Sequence, residues 1–348
     1  MVNKKLQLFF FRAIAVSAPL LLVFACFEVA LRFTGPHYYQ FNKYSQVYYT
    51  NPRGYYNIVG MHDSGFLYGL AYKQSEEGFR LPLSQAAAGE KTGRRIPSIL
   101  ILGDSFTYGR GVRYKDLYAT RLQKKLDADG EGERILNCAT ENSDLQEIIE
   151  TYETQASRHK FKVVVYGFVL NDFGLVSGGR EIVGSDFIDQ NNGGNSWNRF
   201  RAMSAVVNYV FHTLDRIRLS HRTARAYLDA FRGENAKTHF KKLNDLNEKV
   251  KADGGRLVIV VFPLLYNFSD YPFKEIHKKI RSFCAERDIA MLDLFAPFSR
   301  HRSRQLWAAP TDHHPNEIAH QIAAKELADF LYAGGLLERP DQKGHADS

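Results

Sequence analysis

Ile99-Leu-Ile-Leu-Gly-Asp-Ser-Phe-Thr-Tyr-Gly109 decides the reading of this chain. Its four apolar residues predict a short strand buried on both faces. The strand ends on Gly103-Asp104-Ser105. A small serine at the carboxyl end of a parallel strand is where α/β folds place reactive groups. Such a serine becomes a nucleophile only if a histidine reaches it and a carboxylate orients that histidine. The chain supplies both residue types far downstream, in Asp312-His313-His314-Pro315-Asn316.

Outward from that stretch the pattern alternates strand and helix. Strands are predicted over 96–102, 134–138, 161–169, 257–262 and 289–294. Between them apolar residues recur at helical spacing, as in Leu117, Leu122 and Leu126, where Asp116 is the expected cap. Similar stripes run through Leu145, Ile148, Ile149 and Tyr152, and through Ile276, Ile280 and Phe283. A last helix is expected from about Pro315 to Leu331. Strands alternating with helices imply an α/β fold. The expected architecture is a three-layer α/β/α sandwich around a mostly parallel five-stranded sheet. Between the third and fourth strands an insertion, 174–233, carries Met203, Val207, Val210, Phe211, Leu214 and Ile217 at helical spacing. Arginines flank that stripe, so the helix is read as packed on the domain with a solvated basic face, the alternatives being that it lies on a membrane or caps the site near Ser105.

The amino terminus reads as a membrane signal. Lys4 and Lys5 precede an apolar stretch over 6–33, between a leader at 1–5 and an aromatic segment with linker at 34–94. With Phe9–Phe11 and Val29–Leu31 included, the stretch reaches the ~20 residues a span requires. No small-x-small cleavage site follows it, so a retained single-pass transmembrane signal anchor is expected rather than a removed signal peptide. Lysines ahead of the span place the amino terminus inside and the bulk of the chain on the extracytoplasmic, periplasmic side. The α/β domain is expected over 95–335, followed by a polar tail at 336–348.

Composition narrows the field. The 348 residues carry 45% hydrophobic and 24% charged residues and a net charge of +8, which fits a large globular core. Basic and acidic residues are interspersed and no nucleic-acid motif occurs, so nucleic acid is not an expected partner. Three cysteines without C-x-x-C spacing support neither a metal site nor a disulfide framework. No cofactor is expected.

Gly103-Asp104-Ser105, the Asn171-Asp172 pair and the Asp312-x-His314-Pro-Asn segment resemble blocks I, III and V of the SGNH (GDSL-type) hydrolase superfamily, whose sheet is flavodoxin-like. Glu77-Gly-Phe-Arg80 and Glu28-Val-Ala-Leu-Arg32 are similar to segments of its membrane-anchored bacterial members. Taken alone, the serine reads as a helix cap, Asn-Asp as a turn and His314 as a helix start. Three motifs in order, each at an expected strand end, outweigh those readings.

The resemblance implies a Ser105–His314–Asp312 triad. It also implies an oxyanion hole from the Ser105 backbone N–H, the Asn171 side-chain amide and the backbone N–H of the block II residue. Asn142 aligns where that residue is usually glycine, and Val169 replaces a glycine of block III. His313 and His320 are the other candidate bases, with His313 expected to point away and His320 to serve structurally. The implied activity is a serine esterase acting on a small-molecule, glycan, envelope-polymer or lipid ester. An O-acyltransferase acting on a polysaccharide and a degenerate glycan-binding module are the alternatives, with a metal-dependent phosphodiesterase a weaker one for want of ligand clusters.

Overall fold

In the computed structural model the first element is a long apolar helix, α1 (Lys4–Thr34). The described residues are 4–34, 48–50, 56–58, 65–67, 70–75, 77–82, 96–130, 132–141, 143–173, 176–177, 180–181, 203–309 and 312–338. The chain divides into two compact units, 1–46 with 183–223, and 47–182 with 224–348.

The second unit begins with short antiparallel strands. β1 (Tyr48–Thr50) pairs with β2 (Tyr56–Ile58), and β3 (Gly65–Leu67), β4 (Leu70–Gln74) and β5 (Arg80–Leu81) form a three-stranded sheet. The α/β core follows. β6 (Ile99–Gly103) leads into the one-turn helix α2 (Ser105–Tyr108), then α3 (Tyr118–Ala128). Next come β7 (Ile135–Asn137), α4 (Leu145–Ala156) and β8 (Val163–Phe168), then a two-residue pair, β9 (Val176–Ser177) and β10 (Arg180–Glu181). Two consecutive helices, α5 (Ala205–Ala230) and α6 (Gly233–Ala252), precede β11 (Arg256–Val261). The chain continues through α7 (Lys274–Glu286), β12 (Ala290–Asp293), α8 (Phe295–Phe298), the hairpin β13 (Trp307–Ala309) and β14 (Asp312–Pro315), and α9 (Glu317–Ala333).

The five core strands pair in parallel in the order β12-β11-β8-β6-β7. The composition of each strand follows its place in that order. Ile99–Leu102 in β6 and all of β8 are buried, because a central parallel strand is covered on both faces. The edge strands β7 and β12 are only half-buried. α3 packs with α9, and α4 packs with α6, giving a helical layer on each face. The expected three-layer α/β/α sandwich is therefore the observed one.

Two local expectations differ. Asp116 does not cap α3; it lies in a 3-10 turn and pairs with Arg121 at 2.8 Å. The N–H of Tyr118 at the start of α3 is instead taken by Nδ1 of His320 on α9, at 3.1 Å. The last helix starts later than Pro315, because Asn316 accepts from the N–H groups of Ile318 and Ala319 and is its N-cap. Pro315 belongs to β14, opposite Trp307.

In the first unit, α1 meets the start of α5. The Glu28 carboxylate accepts from the Ser204 hydroxyl (2.8 Å) and from the backbone N–H groups of Ala205 (2.9 Å) and Val206 (3.0 Å). Arg32 pairs with Glu28 and donates to the Met203 carbonyl at 3.0 Å. A carboxylate on the open N–H groups of a helix start is the favoured arrangement, because those donors lack intrahelical partners. Within α1, residues Gln7–Arg32 are long and apolar enough to cross a membrane, and side chains such as Phe10, Leu21 and Val29 are exposed.

Candidate active site

The strand order puts a switch point between β6 and β8. From β6 the chain moves outward to β7, then returns to the other side of β6 at β8. The connections leaving the carboxyl ends of these two strands diverge there and open a crevice. Ser105 follows β6, and Asn171 follows β8.

Small residues let the serine turn sit down on the sheet. Gly103 of β6 and Gly167 of β8 are register partners. A Cβ at Gly103 would stand 2.3 Å from Thr107 Oγ1, and one at Gly167 only 2.1 Å from it. The two glycines thus make the recess that Thr107 fills, and its Oγ1 accepts from the Tyr118 hydroxyl at 3.2 Å. Gly103 also has φ +155°, which a side chain would resist. The first residue of α2, held by this recess, is Ser105, which is 6% exposed.

Ser105 Oγ is 2.9 Å from His314 Nε2. The Phe106 ring meets the imidazole edge-on, 5.4 Å between centroids, and limits its tilt. Asp104 connects both sides of the crevice. Its Oδ1 accepts from the Phe106 N–H at 2.9 Å, capping α2, and its Oδ2 accepts from Asn171 Nδ2 at 3.1 Å. One fully buried carboxylate therefore orders the serine turn and aims the Asn171 amide.

Asp172 is also fully buried. Its Oδ2 accepts from the Tyr166 hydroxyl (2.7 Å) and the Val169 N–H (3.0 Å). Burial, reinforced by the charge on Asp104, pushes the Asp172 carboxyl well above the usual carboxylate range. Burial raises Asp104 as well, opposed by the Phe106 N–H, the Asn171 amide and His314. Two close buried carboxyls resist double ionisation, and the donors around Asp104 favour the charge residing there.

His314 is delivered by the β13–β14 hairpin, which the sequence did not signal. Trp307 Nε1 donates to the Leu265 carbonyl at 2.9 Å, and the Trp307 ring stacks on His313 with centroids 3.9 Å apart. Asn316 Nδ2 donates to the carbonyls of Gln305 (2.8 Å) and Trp307 (3.2 Å) while its Oδ1 caps α9. One asparagine thus fastens the hairpin to the last helix.

The candidate residues fall into three groups. Ser105, His314 and Asn171 are brought to one crevice. Asp312 opens β14 opposite Ala309, but its side chain lies outside the described residues, as does Asn142 entirely. Beside Asn142, the loop after β7 runs along β6, with Cys138 N–H on the Ile101 carbonyl and Thr140 N–H on that of Gly103. His313 stacks on Trp307, and His320 is buried against Tyr118. Among the described residues no group of three or more His, Cys, Asp or Glu side chains is gathered for a metal ion. Asp104 and Trp307 were missed by the sequence reading. For Asp104 the available signal is its place at the end of the predicted strand, directly before Ser105.

A buried serine hydroxyl on an imidazole, beside a fixed amide donor at the switch point of a parallel sheet, belongs to the chemistry of ester-cleaving α/β hydrolases. The chain is a member of the GDSL-like lipase/acylhydrolase family, whose profile matches residues 101–322, and is a hydrolase acting on esters. No curated protein sequence matches it. Among solved structures it is similar to TesA, with 14% identity, 69% of this chain and 99% of that one covered, and TM-score 0.43. It is similar to the psychrotrophic esterase EstA from Pseudoalteromonas sp., with 14% identity, coverage of 68% and 97%, and TM-score 0.41. A variant of Axe2, an acetyl-xylooligosaccharide esterase from Geobacillus Stearmophilus, aligns with 14% identity, coverage of 69% and 97%, and TM-score 0.44.

Proposed function

We propose that the protein is a membrane-anchored serine esterase, with its catalytic domain on the extracytoplasmic side, that cleaves an acyl ester of a carbohydrate, an envelope polymer or a lipid. The observation that carries the reading is the 2.9 Å contact between Ser105 Oγ and His314 Nε2. A serine hydroxyl is a poor nucleophile until a base takes its proton, and this contact supports His314 as that base. Asp312 stands two positions before His314 on β14, and that spacing supports it as the carboxylate that orients His314.

In the proposed reaction, the Ser105 proton passes to His314 Nε2 as Oγ bonds to the acyl carbon. The carbonyl oxygen gains the negative charge, which the Ser105 N–H, the Asn171 amide and the Asn142 N–H stabilise. His314 then gives the proton to the departing alcohol oxygen, leaving an acyl-serine. Water attacks that ester and loses a proton to His314, which returns it to Ser105 Oγ as the bond to the acyl carbon breaks, releasing the acid and free Ser105.

The anchor reading is supported by α1, where apolar side chains such as Phe10, Leu21 and Val29 are exposed, as those of a lipid-facing helix are.

The test uses the detergent-solubilised full chain with a fluorophosphonate probe and an aryl acetate, beside Ser105→Ala. Labelling and turnover that depend on Ser105 are expected. Their absence in the unsubstituted protein would sink the esterase reading. Acetate appearing on an added glycan, rather than free in solution, would replace hydrolysis with acyl transfer.

A further inference from the structure

The accessory strands ahead of the family-matched stretch reach into the serine turn. Arg80, on β5, is 3% exposed. Its Nη1 donates to the carbonyls of Tyr108 (3.4 Å) and Gly109 (3.1 Å), and its Nη2 to that of Val112 (3.0 Å). The guanidinium carbon lies 5.0 Å from the Tyr108 ring centroid. Gln74, opposite Arg80 in the β4–β5 register, donates to the Tyr108 hydroxyl. Two cross-strand neighbours therefore hold the same end of α2.

That end needs holding. α2 has four residues, far fewer than an independently stable helix requires. Its last carbonyls have no partner within the helix. Gly109 turns the chain with φ +81°, and the N–H groups of Gly109 (3.0 Å) and Arg110 (3.1 Å) both donate to the Ser105 carbonyl. The turn that Arg80 fixes through its carbonyls is thus the turn bonded to the main chain of Ser105. Asp104 caps the other end of the same helix.

We propose that Arg80 is a positioning residue for Ser105. Its guanidinium clamps the carboxyl end of α2 and so keeps Ser105 Oγ within reach of His314. The planar fork matters, since it spans carbonyls on both sides of the Gly109 turn. A lysine ammonium carries the charge but is a compact point donor. The role rests on Ser105 being the nucleophile proposed above. The clamp itself does not.

The test compares Arg80→Lys and Arg80→Ala with Glu77→Ala, which breaks the Glu77–Arg158 surface pair of the same segment. Displacements of ~1 Å at a reacting group cost ~100-fold in rate. The fluorophosphonate labelling rate and aryl acetate kcat should therefore fall ~100-fold in Arg80→Ala and ~10-fold in Arg80→Lys, with KM unchanged and Glu77→Ala at full rate. Amide hydrogen exchange over residues 104–112 should speed up in Arg80→Lys while residues 163–168 stay protected. Unchanged exchange over 104–112 in Arg80→Lys overturns the clamp even if no labelling occurs in any variant. Unchanged labelling with faster exchange overturns the positioning role. A loss in Glu77→Ala equal to that in Arg80→Lys assigns the effect to general loosening and also overturns it. If Arg80→Ala does not fold, Arg80→Lys alone decides.

Discussion

Asp104 has more to do than its place in a short motif suggests, because each oxygen serves a different half of the crevice. Asp104→Asn keeps an oxygen for the Phe106 N–H but turns a second amide toward Asn171. Two donors then face each other, and the Asn171 amide loses its fixed direction. Removing one preorganised oxyanion donor costs ~100- to 1,000-fold in kcat. Asn171→Ala should show a loss of that order with KM little changed, and Asp104→Asn a loss approaching it, in steady-state aryl acetate kinetics. Asp172 predicts the opposite behaviour. Its carboxyl is raised on folding, so across the window from the unfolded value up to the folded one the folded chain binds more protons. Its contribution is favourable below that window and is lost as pH rises through the folded value. Asp172→Asn, which supplies a neutral acceptor to Tyr166 and Val169, should flatten that decline. Urea unfolding midpoints at pH 5 and pH 8 measure it: the variant's midpoint should change less between them than that of the unsubstituted chain.

The joint between α3 and α9 shows what one side chain does for a pair of helices. His320 accepts the Tyr118 N–H on Nδ1, so it is held neutral with its proton on Nε2. Burial, with the charges of Arg80 and Arg121, lowers its pKa to about 3. Between that value and the ordinary value near 6.5 the unfolded chain binds the extra proton. The stability from this joint is therefore complete above pH ~6.5 and is lost as pH falls toward 3. His320→Asn retains an acceptor near Nδ1 and cannot take up the proton. Thermal unfolding between pH 7 and pH 4 should fall less steeply in that variant. Such joints also show why some elements could be read from sequence and others not. The β6, β8 and β11 strands announced themselves because central parallel strands must be apolar on both faces. The His314 hairpin did not, since Trp307-Ala-Ala-Pro-Thr-Asp-His-His-Pro315 has neither period. It is held by Trp307 and Asn316 through partners remote in sequence or in the next helix. Asp116 misled for the same reason: a cap residue stood at the right place, but the open N–H was claimed from 202 residues away.

In the chain as a whole, the meeting of Ser105, His314 and Asn171 in one crevice could be anticipated from three motifs, whereas the consequence of Glu28 and Arg32 could not. The sequence marked them as the ends of a segment similar to one in membrane-anchored family members, not as partners of the insertion. Folded, they meet the start of α5, so the insertion after β8 is fastened to the apolar helix at its carboxyl end. Glu28→Ala removes the acceptor for two backbone N–H groups and the Ser204 hydroxyl. Loss of a helix N-cap costs about 1 kcal/mol. Exchange of the amides over 203–207 should therefore quicken several-fold, with residues 163–168 unaffected. The apolar helix itself makes a larger prediction. At 1.5 Å per residue, the 26 residues Gln7–Arg32 extend about 39 Å, against a hydrocarbon core of about 30 Å, so the helix is long enough to span one. In the proposed topology Lys4 and Lys5 lie inside, and the hydrolase is expected outside. Native thiols leave little background for testing this: Cys138 and Cys284 are buried, and Cys26 lies within the apolar helix. A cysteine at the exposed surface position Lys278, introduced as Lys278→Cys, should react with a membrane-impermeant maleimide in intact cells. The protein should remain with the membrane fraction at alkaline pH and leave it when residues 1–33 are deleted. Reaction only after the cells are permeabilised would reverse the orientation. Release of the full chain at alkaline pH would remove the anchor.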